Sequence, residues 1–272
     1  MRSLQLLIGD LCGGLVSVLS ALSPLWVVTV IALLLTVPIL LVVRTLTDQG
    51  KVRATKNLIK GHLLELWLFR DDPAIVLGAQ GRILRLNARY LLLTLKPFLV
   101  LLIPLALILI PLDGWFGFRA LRPGDTATVV VVAGGLDNPD RASIGASDGL
   151  AVETPALRIP ATREIAWRIR ALRPGVHTVW ITVDGRRLEK QVTVADGLAS
   201  LSPTRVSSAS WETVLYPAES PLPSAAGIER IDISYPPASL SVFGLRMHWL
   251  VYFVLATVVF MLALRRALRV EI

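Results

Sequence analysis

Five polar residues stand at the edges of the two longest apolar stretches: Arg44, Asn57, Asn87, Arg89 and Lys96. None is a nucleophile with a base beside it. What cations and amides can do at a membrane boundary is solvate. An unpaired polar group taken into an apolar medium costs several kcal/mol, roughly 2–7 by transfer scales. A vestibule lined by these five residues and open to the cytoplasm would spare a passing chain that cost. The same residues also fit ordinary loop and anchor positions, with Lys96 snorkelling to the headgroups.

Other chemistry is thinly supplied. Asp137 and Asp140, in GGLDNPDR, have calcium-ligand chemistry but read as a solvated turn. The lone Cys12 excludes an internal disulfide and a cysteine metal cluster. His62, His177 and His248 fall in three separate regions, so no metal site is expected. No phosphate-binding glycine loop, nucleophile elbow or telling carboxylate pair occurs, so the chain is not expected to be an enzyme and no cofactor is expected.

The elements that must position the five residues follow from hydropathy and charge. Of 272 residues 54% are hydrophobic, and they cluster in blocks. The formal net charge is +8. Most of that excess lies between Arg44 and Lys96, where ten basic residues face only Asp48, Glu65, Asp71 and Asp72. Such local charge fits topology and anionic headgroups better than nucleic acid, and no nucleic-acid binding is expected. A short basic loop between two apolar spans stays in the cytoplasm.

Residues 1–23 read as an uncleaved interfacial helix, a signal peptide being the alternative. Residues 24–44 form the first span, with a kink expected at Pro38, and 97–112 the second, with evenly spaced Pro97, Pro104 and Pro111. Between them, 45–96 reads as a cytoplasmic helical hairpin hinged at Asp71, Asp72 and Pro73, because an Asp followed by Pro starts a helix. Residues 113–245 carry short β-branched runs bounded by Gly, Pro and Asp: TATVVVVAG, AWRIRAL, HTVWITVDG and KQVTVAD. They predict an immunoglobulin-like β-sandwich on the far side of the membrane. Within it, the Ser- and Pro-rich stretch 200–226 reads as loop or tether. Residues 246–264 form a third span, and Arg265, Arg266 and Arg269 hold the tail 265–272 inside. The fold class expected is an α-helical membrane protein with three transmembrane helices and a cytoplasmic helical hairpin, joined to an all-β extracytoplasmic domain. Its N-terminus is outside and its C-terminus inside.

That order of elements resembles the minimal core of the YidC-type membrane protein insertase superfamily, especially its three-span archaeal and endoplasmic-reticulum branch. The resemblance is one of element order; KNLIKGHLLELWLFRDDPAIVLGAQGRILRLNARYLLLTLKPFLVLLIP and the closing ISYPP…HWLVYFVLATVVFMLALRRALRVEI look besides like a conserved block in uncharacterised bacterial membrane proteins. It covers about half the chain and rests on topology more than on a sharp motif. It implies a bacterial inner-membrane protein that receives hydrophobic segments in a cytoplasm-facing groove. Arg44 and Lys96 are the positions that could match the positive groove residue of that family. The partners implied are the lipid bilayer and nascent membrane proteins or the ribosome. The β-rich insertion departs from the family core. It suggests the rival reading, an anchored scaffold whose β domain binds a periplasmic protein.

Overall fold

The computed structural model describes residues 2–19, 22–69, 71–134, 142–183, 185–268 and 270. Among them are five helices: α1 (Arg2–Leu19), α2 (Pro24–Leu46), α3 (Gln49–Leu68), α4 (Pro73–Phe116) and α5 (Trp249–Leu264). Two of these, α2 and α4, are long and apolar enough to cross a membrane. With the antiparallel sheets below, they make a membrane-anchored chain with a helical and a β-rich part. α5 is uniformly apolar but only 16 residues long. The chain divides into two compact units, Met1–Val27 with Leu107–Trp249, and Val28–Ala106 with Leu250–Ile272.

In the second unit, α3 and α4 form an antiparallel hairpin. Asp48 caps α3 by accepting from the Lys51 N–H at 3.1 Å. The Lys51 side chain and that N–H together hold the Asp48 carboxyl below its ordinary value. The Phe69 N–H ends the helix on the Glu65 carbonyl, and Asp72 starts α4 by accepting from Ile75 N–H at 3.3 Å. Across the hairpin, Arg82 Nη2 donates to Glu65 Oε1 at 2.6 Å, and the Lys56 ammonium lies 5.6 Å from the Tyr90 ring centroid. His62 Nδ1 sits 2.7 Å from the other Glu65 oxygen. Val52, Thr55 and Ala79 are buried near these contacts. The hairpin is therefore closed by a polar and charged ladder over a thin apolar floor, and its larger side chains, among them Leu64, Trp67, Leu77 and Leu84, are exposed.

The second arm of the hairpin and the second apolar stretch are one element. α4 runs for 44 residues, with no boundary at Lys96–Pro97. At 1.5 Å per residue it is about 66 Å long, against roughly 30 Å for a hydrocarbon core. Pro97, Pro104 and Pro111 all sit inside it. Each lacks an N–H, so the carbonyls of Leu93, Val100 and Leu107 receive no bond from the residue four places on. α2 carries Pro38 in the same way. Its buried face, Val28, Ala32, Thr36 and Leu40, repeats every four residues, and Thr36 Oγ1 donates to the Ala32 carbonyl at 2.6 Å. Thr29 Oγ1 and Tyr252 Oη lie 2.7 Å apart, tying α2 to α5.

The first unit holds the β-rich part. β1 (Thr126–Ala133), β3 (Leu150–Val152), β5 (Glu164–Ala171), β8 (Thr204–Val206) and β9 (Ile228–Ile233) form one sheet in the order β3-β5-β1-β9-β8, with β4 (Leu157–Ile159) also on β5. β2 (Ser143–Ala146), β6 (Gly175–Val183) and β7 (Arg186–Val194) form a second sheet, and β10 (Leu240–Val242) pairs with β11 (Leu245–Met247). All these pairs are antiparallel. Alternation puts Val129 and Val131 of β1, Ile165, Trp167 and Ile169 of β5, and Val179 and Ile181 of β6 into one core.

Most of the stretch 200–226 is irregular backbone, the loop its composition predicts, but it is also tied into the β-rich part. It supplies β8, a 3-10 turn at Trp211–Val214, and the core residues Leu201 and Leu222. Serines and prolines leave its backbone few regular bonds, and Leu201 and Leu222 tie it to the core.

Candidate functional site on the fourth helix

All five candidate residues are exposed. Arg44 lies in the last turn of α2. Asn57 is on α3, on the face turned away from buried Val52 and Thr55 and half-buried Ile59. Asn87 donates Nδ2 to the Ile83 carbonyl at 3.0 Å, a local bond within α4. Arg89 and Lys96 lie two turns apart on one edge of α4, whereas Asn87 falls on the other side of the helix. So the five do not share one face. The pair that does, Arg89 and Lys96, has neighbours that the sequence reading did not weigh. Residues 89, 93, 96 and 100 follow the helical series i, i+4, i+7, i+11. That series interleaves the two cations with the two carbonyls, of Leu93 and Val100, that Pro97 and Pro104 leave without a helical partner. One edge of α4 is thus a polar track running from the basic arm into the apolar stretch.

The hinge residues occupy the turn between α3 and α4 as the Asp-Pro rule predicts: Asp71 in the turn, Asp72 capping, Pro73 opening α4. Arg82 and His62 hold the Glu65 carboxyl below the usual glutamate range, the His62 bond being the larger cause.

Asp137, Asp140, Arg70 and Arg269 lie outside the described residues. Among the described residues no group of three or more His, Cys, Asp or Glu side chains gathers for a metal. His177 Nε2 is 2.7 Å from the Arg173 carbonyl, and His248 stands beside the Trp249 ring.

Two polar features of the β-rich unit were not foreseen. A cleft of about 810 Å³ is lined by Ser207, Ser210, Glu212, Ser224, Glu229 and Arg230, among others. The second is Lys190, fully buried on the core face of β7 between Leu188 and Val192. Its ammonium donates to the Ser202 carbonyl at 2.5 Å, to Ser202 Oγ at 3.0 Å and to Glu219 Oε1. Burial pushes its pKa down, and Glu219 opposes that shift. Alternation of KQVTVAD marks Lys190 as inward-facing, which is the signal that was available. Compared with known proteins, the chain matches no family model, no curated protein and no solved structure.

Proposed function

We propose that this chain is an insertase-like membrane protein of the YidC type, assisting entry of hydrophobic segments into a bacterial inner membrane. In this reading α5 is a third span, shortened but flanked inside by Arg265 and Arg266, and the N-terminus lies outside. The observation that carries it is the polar track on α4. Arg89 and Lys96, with the freed carbonyls of Leu93 and Val100, offer hydrogen-bonding partners along one helix edge. A polar stretch of an entering chain exchanges water for those groups and avoids the several-kcal/mol cost of bare desolvation, while its apolar part meets lipid directly. No nucleotide or metal is needed for such a step. Depletion in a strain lacking redundant insertases tests it: a set of membrane proteins falls, and wild-type protein restores them where Arg89→Ala/Lys96→Ala does not. Unchanged membrane-protein levels on depletion refute it.

A second reading has its own observation. The serine- and glutamate-lined cleft beside β9 suits a polar ligand group or a partner's side chains. It fits an anchored scaffold whose β-rich part is an immunoglobulin-like sandwich with β1 central in its sheet, rather than at the edge as in constant-type domains. Capture of one envelope protein by the full-length chain, lost in Glu212→Ala/Arg230→Ala, favours that reading.

A further inference from the structure

β10 and β11 stand apart from the larger sheets as a two-stranded ribbon. Its register places Leu240, Val242, Leu245 and Met247 on one face, and Ser241 and Arg246 on the other. Burial along the apolar face falls toward the tip. Leu240 is buried, Val242 and Met247 are half-buried, and Leu245 is 67% exposed. Phe243, at the turn itself, is fully exposed. It is held at φ 50°, before Gly244 at φ 84°, in a turn that favours asparagine or glycine. A bulky residue at positive φ without cover from its own chain adds strain and buries nothing, so its use lies outside the fold.

Two anchors fix the feet of the ribbon at the end of α4. On the incoming side, Pro237 pairs antiparallel with Phe118, in the segment that leaves α4. Arg119 N–H donates to the Pro236 carbonyl at 2.8 Å, and Ala238 N–H to the Gly117 carbonyl at 3.0 Å. The chain therefore enters the ribbon travelling back toward α4. On the outgoing side, Trp249 Nε1 donates to Asp113 Oδ1 at 2.9 Å, and its ring centroid lies 5.9 Å from that of Phe116. Asp113 is the first charge after the apolar stretch 97–112, so both feet stand where that stretch ends. The tip lies five residues past Ala238, at most about 17 Å away at 3.4 Å per residue. The interfacial layer on each side of a bilayer is roughly 5–7 Å deep, well within that reach.

We infer that the tip of the β10–β11 ribbon is a lipid anchor: Phe243 and Leu245 seat in the interfacial layer of the leaflet on the β-rich side. Arg246, on the opposite face, is of the charge that meets headgroup phosphates. The occupant is lipid because the feet are tied to the end of a membrane-length helix and the entering strand runs back toward that helix. The ribbon thereby pins the β-rich part to the bilayer surface.

The inference rests on α2 and α4 crossing a membrane, not on insertase activity. Spin labels are placed on single cysteines in full-length Cys12→Ser protein, reconstituted in phosphatidylethanolamine–phosphatidylglycerol vesicles. The positions are Phe243→Cys, Leu245→Cys with Phe243 intact, Leu34→Cys within α2, and Thr162→Cys in the turn between β4 and β5, at the end of β1 far from α4. Collision with oxygen against collision with a water-soluble nickel complex reports depth. The oxygen-to-nickel ratio is expected to be several-fold higher at both tip positions than at Thr162, and higher still at Leu34. A tip ratio equal to that of Thr162, with Leu34 deep, overturns the anchor alone. Low collision with both reagents at the tip marks protein cover and also overturns it. Leu34 at the Thr162 ratio removes the membrane reading and the anchor with it. Leu245 is exposed, so its label disturbs no packing and decides the matter even where Phe243→Cys folds poorly. Insertase activity enters none of these readouts.

Discussion

Replacing Glu219 with alanine leaves Lys190 as a buried cation with one partner fewer, and the cost can be worked from its surroundings. Lys190 has 0% side-chain exposure and Glu219 only 8%, so water does not take over for the lost carboxylate. Breaking a buried pair by removing one member costs about 3–5 kcal/mol. Two acceptors remain, the carbonyl and hydroxyl of Ser202, which places the expected loss near the lower end, about 3 kcal/mol. For a unit of this size that lowers Tm by roughly 10 °C. Lys190→Met/Glu219→Leu removes both charges together, and it should restore most of the loss. The pH dependence carries a sign. A lysine whose folded pKa lies below its ordinary 10.5 gives stability that rises as pH climbs from the folded value toward 10.5. Without Glu219 the folded value falls further, so the rise begins at lower pH and is larger. The assay is thermal unfolding of the detergent-solubilised full-length protein, followed by the fluorescence of buried Trp167 between pH 7 and 10. A loss under 0.5 kcal/mol for Glu219→Ala, read against the general scale for buried pairs, or a double variant no better than the single, refutes the reasoning.

Other expectations follow from particular contacts. Glu65 has its pKa depressed below the ordinary 4.5, so its contribution to the α3–α4 hairpin is present above that value and is lost as pH falls through the folded one. Amide protection factors of the Glu65 and Arg82 turns should fall on acidification below pH 4.5, and Glu65→Gln should remove that acid sensitivity. Phe243 is a bulky residue at φ 50°, followed by Gly244 at φ 84° in the β10–β11 turn. Phe243→Asn should raise stability by about 0.5–1 kcal/mol in denaturant unfolding, because asparagine tolerates that region. The Trp180 ring lies directly over Gly145, with the Arg187 guanidinium 4.2 Å from its centroid. Gly145→Ala should cost about 1–3 kcal/mol and change near-ultraviolet circular dichroism as the ring is displaced.

What could be read in advance was whatever depends on neighbours in sequence. Uniform apolar runs mark α2 and α4, Asp72 before Pro73 marks the start of α4, and β-branched alternation marks β1, β5, β6 and β7. What depends on angle around an axis was harder. Asn87 and Arg89 are close when counted along the chain, but turns of 100° per residue send them to different faces of α4, and Asn57 sits on a different helix. The prolines of α4 illustrate a local rule overridden. Each frees one carbonyl and disfavours a helix, yet the helix continues; in the proposed membrane reading any other backbone path through the apolar medium would free many more groups. The stretch 200–226 went unread for the opposite reason. Its one strand is too short for alternation to register, and its anchoring combines Leu201 and Leu222 with the contact of Lys190 and Glu219, residues 29 apart in the chain. The small strands β2, β3 and β4 escape for the same reason of length.

In the proposed membrane reading the basic arm and the apolar stretch, being a single helix, share one inclination. The arm from Ala74 to Lys96 contains no proline, so little of any rotation is absorbed along it. A helix passing from a thick bilayer of about 33 Å to a thin one of about 27 Å leans further over to keep its apolar length covered. The roughly 36 Å that exceed the hydrocarbon then act as a pointer: a lean of about 20° carries the Asp71–Asp72 tip some 12 Å sideways. In that reading the hairpin tip shifts sideways as the local thickness of the membrane changes.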